Sequence, residues 1–233
     1  MKRILVKLSG EMLQGNEKCG IEQNSLQHTA LMLQSLKKEG YEIGVVIGGG
    51  NIFRGVKLAS NGLNRTAADQ MGMLATLING VALKTALESI NITASLFSAV
   101  ECPKVAETYQ YDKVKKAFQS GHLVIFVGGT GNPFFTTDTA AALRAVEIEA
   151  DLIVKATKVD GVFDKDPSKD GAKKYINISY NDYLAQKLGV MDLTAITLCF
   201  DNQIPIFVTN MKNLGKTPLK DLISKQEGTL IKG

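Results

Sequence analysis

Six short runs in this chain are predominantly apolar and rich in β-branched residues, and most lead into a longer stretch with helical periodicity. They read RILVKL (3–8), IGVVIG (43–48), TASLFS (93–98), LVIFVG (123–128), DLIVKA (151–156) and PIFVTN (205–210). A strand with one wet face alternates polar and apolar residues, whereas a strand covered on both faces need not. Helical patterns fall near 22–39, 66–90, 103–118, 138–149, 179–187 and 192–202. Such stretches are long enough to carry the crossovers that parallel strands require. The order predicts an α/β fold: a single three-layer α/β/α sandwich with a central, mainly parallel sheet, one domain over residues 1–233. No Pro/Ser-rich linker divides it, and the polar, turn-rich section 157–178 is expected as a long loop with room for a hairpin.

Three of the runs end in glycine: LVKLSG (5–10), VVIGGGN (45–51) and IFVGGTGN (125–132). In a parallel sheet these exits share the carboxyl edge, where open α/β sheets bind ligands. Glycine turns let backbone N–H groups approach an anion, and helices starting just beyond add their positive ends. Neither G-x-x-x-x-G-K-[ST] nor G-x-G-x-x-G occurs, so the P-loop and dinucleotide fingerprints are both absent.

Particular side chains sharpen this edge. Lys7 interrupts an apolar strand; it either reaches past the strand end into a charged site or snorkels at a sheet edge. Arg54 follows a glycine turn, and its planar fork suits phosphate oxygens, the alternative being a solvated loop arginine. Asp69 reads either as part of an imperfect capping box with Thr66 or as a carboxylate for ribose hydroxyls. Thr136, Thr137 or Asp138 caps the next helix, or the three line a polar pocket. Asp160, Asp164 and Asp166 lack calcium-loop spacing.

The 27 Lys+Arg against 23 Asp+Glu leave +4, too small and too evenly spread for a nucleic-acid surface. Cys19, Cys102 and Cys199 lie far apart with no C-x-x-C, which fits a reducing compartment. Two histidines, His28 and His122, argue against a histidine triad. The start turns polar at Lys7, too soon for a secretory leader, and no apolar run nears the roughly 18 residues of a membrane span. A cytoplasmic protein without membrane or nucleic-acid partners is expected. The helix at 66–90 is apolar nearly all round, so it is either wholly interior or part of an interface between copies, and a homo-oligomer is expected.

Together KRILVKLSGE, VVIGGGNIFRG, ADQMGMLAT, GTGNPFFTTDTAAALRAVEIEAD, KATKVDGVFDKDP, VMDLTA and EGTLI resemble the bacterial uridylate (UMP) kinases of the amino-acid kinase fold family, in order along essentially the whole chain. The resemblance implies phosphorylation of UMP to UDP by ATP with Mg²⁺, in pyrimidine nucleotide synthesis, by a homohexamer. It assigns catalysis to Lys7, Arg54 and Asp138, the aspartate orienting the lysine. It gives ATP to Lys7, Leu8, Ser9, Gly10, Gly50, Arg54, Thr157, Phe163 and Asp166. It gives UMP to Gly49, to Asp69 at the ribose, and to Thr130, Gly131, Asn132, Pro133, Phe134, Phe135, Thr136 and Thr137. GTP as activator and UTP as inhibitor are the effectors that the resemblance implies. Departures from the family pattern fall at Ala68 and in the stretch 83–89, with a smaller one at Phe163. Ala68 replaces the usual glycine before the ribose-binding aspartate, and Phe163 stands where some relatives have tyrosine. In LKTALES (83–89), Lys84 alone keeps the basic character associated with GTP, with Thr85 and Glu88 in place of other polar residues. Phe134 and Phe135 are expected to pack their loop, or to touch a base or a neighbouring subunit.

Overall fold

The first strand sits in the middle of the sheet, which fits a run with no polar face. In the computed structural model, which describes residues 2–53, 62 and 64–233, β1 (Arg3–Leu8) pairs in parallel with β2 (Glu42–Ile47) on one side and β6 (Leu152–Thr157) on the other. Outward from β2 come β5 (Leu123–Val127), β3 (Ala94–Ser98) and β4 (Glu107–Thr108). Outward from β6 come β8 (Ile206–Asn210), β9 (Thr229–Lys232) and β7 (Asn177–Ser179). All six expected strands form, with ends shifted by a residue or so, and they run parallel.

Side-chain alternation sorts the residues of β1 between two cores. Ile4, Val6 and Leu8 pack with Leu33 and Leu36 of α2 (Gln23–Lys38), Leu77 and Leu83 of α3 (Arg65–Glu88), and Leu222 of α8 (Leu219–Ser224). Leu5 packs on the opposite face with four further helices: α4 (Tyr111–Gln119), α5 (Thr137–Glu147), α6 (Tyr180–Ala185) and α7 (Leu193–Asp201). Burying each Leu or Ile side chain contributes about 1.5–3 kcal/mol, so both layers are needed to offset the cost of ordering the chain. The three-layer sandwich is therefore as expected. No helix among the described residues is long and apolar enough to cross a membrane.

The departures lie at the margins. The helix expected over 103–118 begins only at Tyr111, and β4 occupies part of the stretch before it. β9 runs antiparallel to β8, and β7 is parallel to β9, so both oppose the other strands. Strands of three and four residues are too short to carry a period. The same holds for α1 (Glu11–Gln14) and α8, neither of which was expected. Within the irregular 157–178 section, Phe163 bridges Lys174 in antiparallel fashion and Asp164 N donates to Lys173 O at 3.1 Å, so the hairpin is present.

Candidate active site

Parallel pairing brings the glycine exits of β1, β2 and β5 to one edge. Gly48 N donates to Leu8 O at 2.9 Å, which ties the first two together. A Cβ on Gly10 would lie 2.3 Å from Asn51 Oδ1 and 2.6 Å from Gly48 O, so no larger residue fits there. Beyond β5 the chain turns through Gly128, Gly129 and Gly131 at φ of 78°, 60° and 82°, left-handed values that explain its three glycines. Gly128 N donates to Thr76 Oγ1 of α3 at 2.7 Å. Thr136 then caps α5, accepting from Asp138 N at 3.0 Å and Thr139 N at 3.5 Å. Thr136 also donates to Asp192, the cap of α7, and Thr139 Oγ1 donates to the same carboxylate at 3.0 Å. The starts of α5 and α7 are thus locked together.

At this edge lies a charge cluster. Lys7 of β1 stands opposite Lys155 of β6 in the parallel register, and the first turn of α5 lowers Asp138 between them. Lys7 Nζ approaches Asp138 Oδ1 at 2.7 Å, and Lys155 Nζ donates to Oδ2 at 2.6 Å. Lys155 also donates to Val190 O. The Lys7 contact is an ion pair without hydrogen-bond alignment, leaving Oδ1 buried with no hydrogen bond. Burial opposes ionisation of Asp138, but Lys7 and Lys155 outweigh it and hold the carboxyl below its ordinary range. For Lys155, burial and then repulsion from Lys7 exceed the pull of Asp138, bringing its ammonium down to about 8. Lys155 was missed in the sequence, although DLIVKA carries the same anomaly that singled out Lys7, a lysine inside an apolar strand.

Two clefts open at this edge, the second lined by both lysines of the cluster. The first, of about 510 Å³, is lined by Gly49, Gly50, Asp69, Thr130, Asn132, Phe135, Thr136 and Thr137. The second, of about 350 Å³, is lined by Lys7, Ser9, Lys155 and Thr157. Glu11 lines both, so the turn after β1 stands between them. Asp69 accepts from Phe134 N at 2.8 Å and from Arg65 Nε at 2.8 Å, joining α3 to the loop after β5. The helix cap is Asn64, whose side chain accepts from Thr66 N and Ala67 N, so the capping box built on Thr66 is not what forms. Ala68 is buried inside α3, where alanine is favoured and no left-handed backbone is called for.

Other expected residues stand apart from these clefts. The Leu8 side chain lies in the core, leaving only its backbone at the edge. Gly131, Pro133 and Phe134 belong to the loop without lining the first cleft, and Phe163 and Asp166 sit on the hairpin without lining the second. Arg54 lies outside the described residues. Phe134 is 65% and Phe135 48% exposed, so neither packs its loop into the core. Instead, the Arg65 guanidinium lies 5.7 Å from the Phe134 ring centre.

A model of the amino acid kinase family matches residues 2–210. The chain belongs to the amino acid kinase family. Among curated relatives, the uridylate kinase of Protochlamydia amoebophila is 55% identical over 99% of this chain and 92% of its own length. That of Stutzerimonas stutzeri is 51% identical over 99% of this chain and 93% of its own. Among solved structures, the UMP kinase of Bacillus anthracis superposes with a TM-score of 0.93 at 37% identity, covering 99% of this chain and 96% of its own. The UMP kinase from Ureaplasma parvum gives 0.92 at 37% identity, covering 100% and 99%. Within the amino acid kinase family, the chain therefore groups with the uridylate kinases along its full length.

Proposed function

We propose that the chain transfers the γ-phosphoryl group of ATP to UMP, giving UDP and ADP. The observation that carries this reading is the pair of clefts that share Glu11 at the sheet edge, the second lined by Lys7 and Lys155 of the cluster. Phosphoryl transfer asks little covalent chemistry of a protein; in-line positioning and charge stabilisation do most of the work. UMP occupies the first cleft, with Asp69 at its ribose and its phosphate toward the glycine turns. ATP occupies the second, its phosphates directed at Lys7 and Lys155. The two ammonium groups and the N–H groups of the turns stabilise charge on the transferring group. Asp138 holds both lysines in place. The UMP phosphate is already ionised near neutral pH, so no general base is required. Arg54 joins the phosphate contacts by resemblance.

Mg²⁺ fits this arrangement as a passenger on ATP. Among the described residues no three His, Cys, Asp or Glu side chains gather to hold an ion alone. Asp138 Oδ1, buried without an aligned hydrogen bond, would hold the ion only by giving up its 2.7 Å contact with Lys7. When bound, the ion supplies neutralisation of phosphate charge.

The deciding assay follows ATP consumption with UMP, CMP and dTMP, with and without GTP and UTP, and UDP formation from UMP is expected. Turnover of glutamate or carbamate without UMP would overturn the acceptor, and nucleotide binding without ADP would make the chain a sensor. Asp69→Asn is expected to raise KM for UMP about tenfold or more, the scale of a lost hydrogen bond to a charged group, with kcat less affected. A lowered Tm with unchanged KM would leave Asp69 only its structural bonds to Phe134 and Arg65.

Assembly belongs to the same proposal. On α3, Met71, Leu74, Ile78 and Val81 are exposed at spacings that place them along one face, so this helix is not wholly interior. We assign that stripe to contact between copies of the chain, in a hexamer by resemblance. Ile78→Glu is expected to yield smaller species in sedimentation; an unchanged sedimentation coefficient would remove the stripe from the interface.

A further inference from the structure

We propose that Asn51 and Asn79 form a positioning pair that fixes the glycine turns of the site relative to α3. The pair is fully enclosed, with Asn51 2% and Asn79 0% exposed. Asn79 projects from the buried face of α3 into a layer otherwise dominated by leucine, isoleucine and valine. Burying a carboxamide is costly unless its groups are bonded, and here every side-chain N–H has a partner. Asn79 Nδ2 donates to Asn51 Oδ1 at 2.7 Å and to Gly48 O at 2.7 Å. Asn51 Nδ2 donates to Asn79 Oδ1 at 3.0 Å and to Gly20 O at 2.8 Å. The backbone completes the latch, with Gly20 N donating to Asn51 O at 2.8 Å.

Four pieces of chain meet at this closed amide ring: the turn after β1, the turn after β2, the loop at Gly20, and α3. Gly10 packs so tightly on Asn51 Oδ1 and Gly48 O that it has no room for a Cβ. Gly48 has its N–H committed to Leu8 O and its C=O to Asn79, which fixes the orientation of the peptides leading to Gly49 and Gly50 in the first cleft. An apolar pair of similar volume would fill the same space but would take the side-chain donors from Gly48 O and Gly20 O. It would not hold Gly48 O, nor set the distance between the two turns. The carboxamides therefore act through the turns and do not touch substrate; they are positioning residues.

The inference rests on the UMP kinase reading. The test compares Asn51→Ala, Asn79→Ala and the double variant with the parent chain, measuring kcat, KM for ATP and for UMP, and Tm. Each single variant is expected to lose about ten- to a hundred-fold in kcat, the scale of a small misplacement of reacting groups. The double variant is expected to be no worse than the weaker single, since either change opens the same ring. Asn79→Ser, whose hydroxyl can bond back along the helix, is the milder second variant should Asn79→Ala not fold. A fall in Tm with kcat and both KM values within about twofold of the parent would overturn the proposal, as would failure of both Asn79 variants to fold. If the parent itself makes no UDP, the functional reading fails, which is distinct from variants that match an active parent.

Discussion

Lys7→Ala is expected to cut kcat for UDP formation by about 10²–10³-fold, the loss typical of one preorganised charge donor, and to leave the fold intact. The fold survives because the Asp138–Lys155 bond at 2.6 Å does not depend on Lys7. Removing Lys7 also removes a like charge that depresses the Lys155 ammonium. The residual ion pair should be more comfortable than the original cluster. Turnover near the parent value at saturating ATP and UMP would contradict the assignment of Lys7 to the reacting phosphate. Tm, measured alongside, separates lost chemistry from lost protein.

Asp138→Asn should do the opposite to stability. It leaves two ammonium groups facing one another in a buried space with no anion between them. Breaking a buried pair from one side typically costs about 3–5 kcal/mol, and a loss on that scale is expected in denaturant unfolding near neutral pH, together with loss of most activity. The effect has a defined pH dependence. The carboxyl of Asp138 titrates lower in the folded chain than its ordinary value of 3.8. The stability it contributes is complete above that ordinary value and is lost as pH falls through the lower folded value. The stability gap between parent and variant should therefore be full at neutral pH and close in acid. A gap constant down to the acid range, or absent at neutral pH, would mean the carboxylate is not held by the lysines as described.

The strands that carry the site were legible because they are covered on both faces, which writes unbroken apolar runs into the sequence. The glycine exits were legible for a related reason: a backbone forced to left-handed φ at Gly128, Gly129 and Gly131 leaves few other residues possible. What could not be read is what depends on register. Lys7 and Lys155 lie far apart along the chain, and only the pairing of β1 with β6 makes them neighbours. Asn79 carries no mark in the sequence, and only the fold brings Asn51 to it. The short strands β7 and β9 carry too few residues for a pattern. Of the two readings of Phe134 and Phe135, loop packing is not what forms, since both are exposed, while contact with a base or a neighbouring subunit stays open, with Phe135 lining the first cleft.

The path of α5 divides the molecule in a way that bears on how it can be rebuilt. Leaving β5, this helix carries the chain across β2 and β1 to start β6 on the far side of the sheet. Every residue lining the first cleft comes before the end of its first turn, between Glu11 and Thr137. Lining of the second cleft, apart from the strand-one turn from Lys7 to Met12, comes from Lys155 onward. On the proposed assignment, a splice within α5 would take the whole acceptor lining and the strand-one turn from one parent and the rest of the donor lining from another.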